Sequence, residues 1–306
     1  MKKPHGSDPS ERYAPYQEFL GVPPEARPNR PAQAAVLPIP YDLTTSYQPG
    51  ARRGPVAILE ASTHLETFDE ELGRETWEEI GIETLPAVVP DTAGPAATLE
   101  RIERVAREVV SRGRFVVGLG GEHSVSAPLV RAVRGKHPGL GVLQLDAHAD
   151  LRDSFEGSPH NHACVMHRVL DDGVPIAQVG IRSLTGEEND LIRSQGICTV
   201  FAPEAVGAPV ESWIGRVLSA LPEEVYVTVD LDAFDPAVMP ATGTPEPGGL
   251  DWYRVLAVLR EVARVKRIVG FDVVELAPIP GNVAPDFLAA KLVYRLLGYA
   301  FFMGRG

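Results

Sequence analysis

Short apolar runs alternate along the chain with longer segments in which apolar residues recur at helical spacing. The runs are rich in valine, leucine and isoleucine, which is typical of buried strands. The predicted strands are residues 34–40, 115–119, 141–145, 176–181, 225–231 and 267–274. The predicted helices are residues 96–113, 126–136, 187–196, 210–221, 251–265 and 285–301. This alternation predicts right-handed βαβ crossovers and a parallel sheet covered by helices on both faces.

The pattern along the chain indicates one domain. The 306 residues contain no internal repeat, no low-complexity segment and no convincing linker. Residues 1–33, rich in Pro, Arg and Ser, are predicted to form an extended or partly ordered N-terminal arm before a domain over residues 34–306. The Pro- and Gly-rich stretch 235–250 lies too close to a strand end to be a linker, so we interpret it as a functional loop. Asp251, which follows a glycine pair, is predicted to cap the next helix.

The composition excludes several classes of protein. Hydrophobic residues make up 44% and charged residues 23%, which is ordinary for a soluble globular protein. No apolar run approaches the roughly 18–20 residues that span a bilayer, and the N-terminus lacks the apolar stretch of a secretory signal. The two cysteines, Cys164 and Cys198, make no disulfide framework and predict a reducing, cytoplasmic location. The net charge of −12 argues against nucleic acid or anionic membrane as a partner and favours cationic substrates or metal ions.

Four of the predicted strands run directly into acidic or imidazole side chains. In open parallel sheets, ligands bind outside the carboxyl ends of the strands, so these side chains are expected to meet at one edge of the sheet. Strand by strand, they are Glu122 and His123; Asp146, His148 and Asp150; Asp230, Asp232 and Asp235; and Glu275. This edge is the predicted functional site.

The segment DAHAD places Asp146, His148 and Asp150 at alternate positions. Alternate residues share one face of a strand, so these side chains converge if the extended conformation persists through Asp150. Asp230 and Asp232 repeat the spacing on another strand. Carboxylates buried side by side are costly unless cations neutralise them, which predicts a metal site.

The ligand types indicate which metal the site would hold. The four aspartates carry a charge of about −4, which two divalent ions would balance. With His123 and His148 they form an oxygen-rich set with imidazole and no thiolate. Such a set suits Mn²⁺, with Co²⁺, Ni²⁺, Zn²⁺ or Fe²⁺ as alternatives. Two metals roughly 3.5–4 Å apart would share a water and lower its pKa enough to supply hydroxide near neutral pH.

Other interpretations of these motifs are weaker. A lone Asp-x-Asp after a strand is more often a cap or turn than a metal site, but its occurrence together with Asp-x-His-x-Asp and with Gly-Gly-Glu-His after a third strand favours the metal site. The glycine-rich residues 118–121 suggest a dinucleotide fold, but the G-x-G-x-x-G pattern needs glycine where His123 stands. Glu122 is interpreted as a supporting or structural residue, because adjacent side chains on a strand point to opposite faces.

The segment after the predicted metal strand holds further histidines. His160 and His162 lie in a loop expected to overhang the site, where one of them could shuttle protons, although both could also be surface residues. His167 is predicted to be structural or exposed. Cys164 lies within an apolar segment and is interpreted as a small buried residue, not a nucleophile.

Together these residues resemble the ureohydrolase family, which contains arginases, agmatinases and related hydrolases of guanidino groups. The resemblance covers about residues 35–300. The matching motifs are GARRGP (50–55), GGEHS (120–124), DAHADLRD (146–153), EGSPHNHACVM (156–166), DLDAFDPAVMPATGTPEPGG (230–249) and VVELAP (273–278). Jointly these motifs are highly specific for the family.

The resemblance implies a single three-layer α/β domain with a mostly parallel eight-stranded sheet and a dimanganese site. The ligands implied for one Mn²⁺ ion are His123, Asp146, Asp150 and Asp230. Those implied for the other are His148, Asp146, Asp230 and Asp232, so that Asp146 and Asp230 bridge. His162 matches the proton-shuttling histidine, and Glu275 matches the acid that pairs with the substrate guanidinium.

Agmatine is the substrate that the resemblance favours, with urea and putrescine as products. Arg152 stands where arginases have an asparagine that reads the amino-acid head group, and the acidic Asp153 and Glu156 are expected to disfavour a substrate carboxylate. Guanidinobutyrate, guanidinopropionate and arginine remain alternatives, as does a metal-binding α/β protein without catalysis. The resemblance also implies a homo-oligomer, a trimer or hexamer.

Overall fold

An eight-stranded sheet in which every strand pairing is parallel lies at the centre of the protein. A computed structural model describes residues 12–13, 17–22 and 28–304. The strands are β1 Ala34–Ile39, β2 Ile82–Thr84, β3 Phe115–Gly120, β4 Gly141–Leu145, β5 Ile176–Ile181, β6 Cys198–Phe201, β7 Glu224–Asp230 and β8 Arg267–Val274. Their spatial order is β6-β5-β4-β7-β8-β3-β1-β2. The prediction of a parallel eight-stranded sheet is therefore confirmed.

Helices connect most of the strands. They are α1 Gly54–Ser62, α2 Thr76–Ile80, α3 Pro95–Ser111, α4 Ser126–Arg134, α5 Val165–Asp171, α6 Gly186–Gln195, α7 Ala202–Gly207, α8 Ile214–Ala220, α9 Trp252–Val265 and α10 Ala284–Phe302. Short 3₁₀ helices occupy Phe19–Gly21, Ala51–Arg53, His123–Val125, His162–Cys164, Val210–Ser212 and Leu231–Ala233. Two short antiparallel pairs join Arg12–Tyr13 to Ala87–Val88 and Phe68–Asp69 to Arg74–Glu75.

The sheet is buried on both faces. Side chains alternate along each strand, so Val117 and Leu119 of β3 enter one hydrophobic core and Val116 enters the other. Helices α1, α8, α9 and α10 pack on the first face, and helices α3, α4, α5 and α6 pack on the second. This explains why the strands read as nearly continuous apolar runs and confirms the three-layer prediction.

Most predicted elements are present, with ends that shift by a few residues. The predicted helix over residues 210–221 is wrong in detail, because the backbone at Trp213 (φ −129°) separates a 3₁₀ helix from α8. The edge strands β2 and β6 were not predicted, since each is short and has little of the apolar run that marks the central strands. The predicted cap is confirmed, because the Asp251 side chain accepts a hydrogen bond from the Arg254 amide at 2.8 Å.

The predicted N-terminal arm lies mostly outside the described residues, at positions 1–11, 14–16 and 23–27. Within the described part, Phe19 and Leu20 are buried against the domain. The Phe19 amide donates to Thr84 Oγ1 at 2.8 Å, and the Leu20 amide donates to Ser62 Oγ at 2.9 Å. The division between arm and domain at residue 33 stays a prediction.

The four strands that end in acidic or imidazole residues are neighbours in the sheet, in the order β4-β7-β8-β3. Because all four are parallel, their carboxyl ends meet at one edge, at the centre of the sheet. The candidate site is therefore assembled by the sheet itself. Among the described residues, no helix is long and apolar enough to cross a membrane.

Candidate metal centre

The first group of side chains surrounds the Nδ1 atom of His123. This atom lies 3.0 Å from Asp146 Oδ2, 3.0 Å from Asp150 Oδ2 and 3.4 Å from Asp230 Oδ2. All four side chains are buried, and within the described part of the chain Nδ1 makes no directed hydrogen bond. Burial opposes protonation of the ring, yet the aspartates raise the pKa of His123 well above its usual range. The pocket therefore stabilises positive charge at its centre, which fits a divalent cation.

A second group lies beside the first and shares Asp146 with it. His148 Nδ1 lies 2.9 Å from Asp232 Oδ2 and 3.6 Å from Asp146 Oδ1. Against the effect of burial, Asp232 and Asp146 raise the pKa of His148 to about 12. Each oxygen of Asp146 thus faces a different group, and both groups could hold a metal ion.

The two carboxylate oxygens of Asp230 have different partners. Its Oδ2 atom faces His123 in the first group. Its Oδ1 atom accepts a hydrogen bond from the Asp232 amide at 2.9 Å. The predicted bridging role of Asp230 is therefore less evident from the side-chain positions than that of Asp146, and it stays a prediction.

Asp146 lies beside both Asp150 and His148, which belong to different groups, and the predicted cause of this arrangement is wrong. Strand β4 ends at Leu145, so the extended conformation does not persist through Asp150. Instead, the His148 amide donates to Asp146 Oδ1 at 2.6 Å, which forms a turn of the kind that aspartate side chains favour. Asp150 then adopts a positive φ of 54°, which turns its carboxylate back toward His123.

Glu275 follows β8 and lies against the first group. Its Oε1 atom accepts a hydrogen bond from the His123 amide at 2.7 Å, and its own amide donates to the Gly121 carbonyl at 2.8 Å. Burial, with repulsion from Glu122, raises the pKa of Glu275 well above its usual range. A cation close to this carboxylate would therefore stabilise its ionised form.

Glu122 connects the site to the loop after β1. It accepts hydrogen bonds from the Thr44 amide at 2.6 Å and the Thr44 hydroxyl at 2.5 Å, while its own amide donates to the Tyr41 carbonyl at 2.7 Å. This close approach explains the glycine at position 121, where a Cβ atom would lie 1.8 Å from the Tyr41 oxygen. The supporting role predicted for Glu122 agrees with these contacts.

The loop after β1 also contacts His162. The His162 amide donates to Thr44 Oγ1 at 3.1 Å, and the ring Nε2 atom lies 3.3 Å from Ser46 Oγ. Burial is the main reason that the pKa of His162 falls to about 4. His162 is therefore a neutral imidazole at physiological pH and can accept a proton.

A cavity of about 210 Å³ opens onto both groups, through Asp150 of the first and His148 of the second. His148, Asp150 and His162 line it together with Arg152 and Phe155. The Arg152 guanidinium lies 4.5 Å from the centroid of the Phe155 ring, a cation–π distance. This cavity is where a substrate would reach both the candidate ligands and His162.

Two acidic residues expected to act on the substrate lie away from this cavity. Asp153 is 79% exposed and pairs with Arg168 at 2.6 Å, and Glu156 is exposed. Neither is among the described residues that line the cavity. Their predicted effect on a substrate carboxylate is therefore not supported.

The structure also separates the histidines of this segment. His160 does not line the cavity, and burial together with the charges of Arg131 and Arg168 lowers its pKa. His167 Nδ1 lies 2.8 Å from the Leu151 carbonyl, in keeping with a structural role. Cys164 is fully buried. Of these residues, His162 is the one that reaches the candidate site.

Polar residues inside the apolar strands also support the site, and the sequence motifs do not predict them. Gln144 Nε2 donates to Asp146 Oδ2 at 2.7 Å, and Gln178 Nε2 donates to Gln144 Oε1 at 2.6 Å. Thr228 and Asp272 form a comparable pair beside His123. The signal that could have identified them is a single polar residue within a buried run, because such a residue needs a partner.

Comparisons with known proteins agree with this geometry. The model of the arginase family matches residues 32–298. The N(1)-aminopropylagmatine ureohydrolase of Synechocystis sp. is 45% identical over 88% of this chain and 89% of its own length. The agmatinase of Pyrococcus horikoshii is 38% identical over 87% of this chain and 92% of its own length. The structure of proclavaminate amidino hydrolase from Streptomyces clavuligerus superposes with a TM-score of 0.85 at 30% identity, covering 94% of this chain and 98% of that one.

Fold and site together define a three-layer α/β protein with side chains suited to a dinuclear metal centre. The chain belongs to the arginase family, whose enzymes use such a centre. It is a ureohydrolase that cleaves guanidino compounds.

Proposed function

We propose that the protein hydrolyses the guanidino group of agmatine, releasing urea and putrescine, with two Mn²⁺ ions as cofactor. The observation that carries the proposal is the pair of ligand groups that share Asp146 and open onto one cavity beside His162. A ligand set of carboxylates and imidazoles without thiolate suits Mn²⁺.

Two overlapping sets of side chains would hold the metal ions. One ion would be held by His123, Asp146, Asp150 and Asp230, and the other by His148, Asp146, Asp230 and Asp232. The unpartnered Nδ1 atom of His123 among three carboxylate oxygens supports the first assignment. When bound, the metal pair supplies an activated water and positive charge close to the reacting carbon.

Two further side chains carry the rest of the proposed chemistry. Glu275 is not among the described residues that line the cavity, but its buried carboxylate lies against the first ligand group, so it would pair with a substrate guanidinium that reaches past the cavity to the metal site and would orient it there. His162 is neutral at physiological pH and passes a proton toward the leaving amine or the bulk solvent. Thr44 and Ser46 hold His162 at the edge of the cavity.

N(1)-Aminopropylagmatine is a second candidate substrate. It presents the same guanidino group and adds a further amine to the same linear chain. The relative of that name from Synechocystis sp. is 45% identical to this chain, while the agmatinase from Pyrococcus horikoshii is 38% identical. The products would then be urea and spermidine in place of urea and putrescine.

Arg152 bears on substrates that carry a carboxylate. It lines the cavity, and its face is already occupied by the Phe155 ring. Pairing with a carboxylate therefore requires the edge of the guanidinium to turn inward. If it did so, guanidinobutyrate or guanidinopropionate would become competitive substrates, with arginine as a further alternative.

A side-by-side urea-release assay tests the proposal. The panel contains agmatine, N(1)-aminopropylagmatine, arginine and 4-guanidinobutyrate, each with Mn²⁺ added to protein that was first stripped of metal. We expect kcat/KM for a cationic amine to exceed that for arginine by at least about 10²-fold, which corresponds to about 2.7 kcal/mol. Equal or faster turnover of a carboxylate-bearing compound contradicts the substrate assignment but leaves the ureohydrolase class intact.

Two further expectations belong to this proposal. Absence of urea from every compound, with two metals bound, would favour the alternative of a metal-binding protein without catalysis.

The proposed homo-oligomer, a trimer or hexamer, is checked by light scattering on the purified protein.

A further inference from the structure

A buried hydroxyl links the candidate ligand His123 to a carboxylate in the core. His123 Nε2 lies 2.9 Å from Thr228 Oγ1, and Thr228 Oγ1 lies 2.6 Å from Asp272 Oδ1. The Tyr226 hydroxyl donates to the other oxygen of Asp272 at 2.7 Å. The side chains of Thr228, Tyr226 and Asp272 are fully buried. The network is therefore shielded from bulk solvent, and its hydrogen bonds are made among these groups.

Counting the protons fixes their arrangement. Burial raises the pKa of Asp272, while the hydrogen bonds from Thr228 and Tyr226 favour its ionised form; in that form the carboxylate can only accept, and Thr228 has a single hydroxyl proton. The hydroxyl of Thr228 therefore donates to Asp272, and Thr228 must accept from His123 Nε2–H. Ser126 Oγ, 3.2 Å from Thr228 Oγ1, can donate to the remaining lone pair of that oxygen. Thr228 and both oxygens of Asp272 are then satisfied, while the Nδ1 atom of His123 keeps an unshared lone pair.

We propose that Thr228 and Asp272 are positioning residues that hold His123 in the Nε2–H tautomer and so present the lone pair of Nδ1 to the first metal ion. The inference rests on the proposed metal site. Its geometric support is that Nδ1 is the ring atom that faces the carboxylates of Asp146 and Asp150, both at 3.0 Å. Partners of this kind raise the basicity of a ligating imidazole and fix its orientation.

The described residues form no comparable hydrogen-bond network with His148, the histidine of the second ligand group. The described residues provide no hydrogen-bond partner for His148 Nε2, and the His148 side chain is 24% exposed at the cavity. Loss of the Thr228 hydroxyl should therefore weaken the first metal site and leave the second unchanged. This selectivity separates a positioning role from a general effect on folding.

The test compares Thr228→Val with Thr228→Ser in protein stripped of metal and titrated with Mn²⁺. Valine keeps the shape of threonine but cannot accept from His123, so we expect one of the two Mn²⁺ dissociation constants to rise about 10–100-fold. Serine restores the hydroxyl, and affinity close to wild type is expected. Asp272→Asn removes the charge behind Thr228 and should weaken the same site by less than valine does.

Thr98→Val is the matched control. It deletes another buried threonine hydroxyl, which accepts from the Asp91 amide at 2.9 Å and lies in α3, outside the site. Both Mn²⁺ affinities are expected to be unchanged in this variant. Wild-type affinities in a folded Thr228→Val variant, or an equal loss at both metal sites, overturn the proposal.

A measurement on the wild-type protein keeps the proposal testable if Thr228→Val fails to fold. In protein loaded with diamagnetic Zn²⁺, the ring ¹⁵N signals of His123 should show a protonated Nε2 and a metal-bound Nδ1. The Nε2–H proton should exchange slowly with solvent because it is buried against Thr228. The opposite tautomer overturns the proposal. Wild-type protein that binds no metal at all contradicts the proposed metal site itself, which is a different outcome.

Discussion

The substitution Asp146→Asn tests whether one carboxylate serves both metal ions. Asp146 Oδ2 lies 3.0 Å from His123 Nδ1, and Asp146 Oδ1 lies 3.6 Å from His148 Nδ1. Asparagine keeps the size of the side chain but removes the negative charge and one acceptor oxygen. The variant should therefore bind both ions more weakly, not one.

The magnitude follows from the charge that is lost. A unit charge pair about 4 Å apart is worth about 4 kcal/mol at the effective dielectric of a partly buried site. The amide oxygen recovers part of this interaction, so we expect a net loss of about 3 kcal/mol, or about 10²-fold in Kd, for each ion. Two variants serve as matched controls, because among the described histidines Asp150 contacts the ring of His123 and Asp232 contacts the ring of His148, each without contacting the other ring. Asp150→Asn and Asp232→Asn should each weaken one ion.

The assay is elemental analysis of protein dialysed against graded free Mn²⁺, with circular dichroism to verify folding. At a concentration that fills both wild-type sites, Asp146→Asn should lose both ions, while Asp150→Asn and Asp232→Asn should each keep one. Two tightly bound ions in Asp146→Asn would refute the shared carboxylate. Loss of both ions in either control variant would show that the two sites are not separable in the way the geometry indicates.

Three further substitutions give predictions that direct measurements can check. His162→Ala should keep both metals yet lower kcat by about 10²–10⁴, the range of general acid–base groups, and loss of metal instead would make His162 a ligand. Arg152→Ala should lower urea release from 4-guanidinobutyrate more than from agmatine if its guanidinium reads a carboxylate, and equal effects would exclude that role. Burial, with repulsion from Glu60, raises the pKa of Asp286 from 3.8 to about 6. Ionisation of Asp286 therefore lowers the free energy of unfolding as the pH rises through that interval. Asp286→Asn should therefore raise the free energy of unfolding at pH 7 by about 1 kcal/mol after solvent screening, with little change at pH 4, and chemical denaturation at both pH values checks this.

The central sheet could be predicted from sequence because its strands are buried on both faces. Runs such as residues 267–274, in which Asp272 is the one polar residue among the buried apolar and glycine positions, keep their full predicted length in β8. The edge strands β2 and β6 could not be predicted in the same way, since their burial depends on neighbours that are distant in sequence. The break at Trp213 likewise follows from local backbone geometry that the apolar spacing of residues 210–221 does not reveal.

The identity of the candidate site residues could be predicted from sequence, but the loop conformations and contacts that position them could not. Strand ends that carry Asp146, Asp230 and His123 meet because parallel strands share an edge, and that follows from fold class alone. The positive φ of Asp150, in contrast, depends on hydrogen bonds made in the folded loop. Contacts across long sequence separations, such as Thr44 with Glu122, also lay beyond the motifs.

The measurement that tests the central claim most directly is urea release as a function of bound Mn²⁺ on one preparation of metal-free protein. With agmatine or N(1)-aminopropylagmatine as substrate, activity should appear only as the second equivalent binds, and the polyamine product should form in equal amount to urea. Full activity at one equivalent would contradict a dinuclear site. No urea from any guanidino compound at two equivalents would contradict the proposed function.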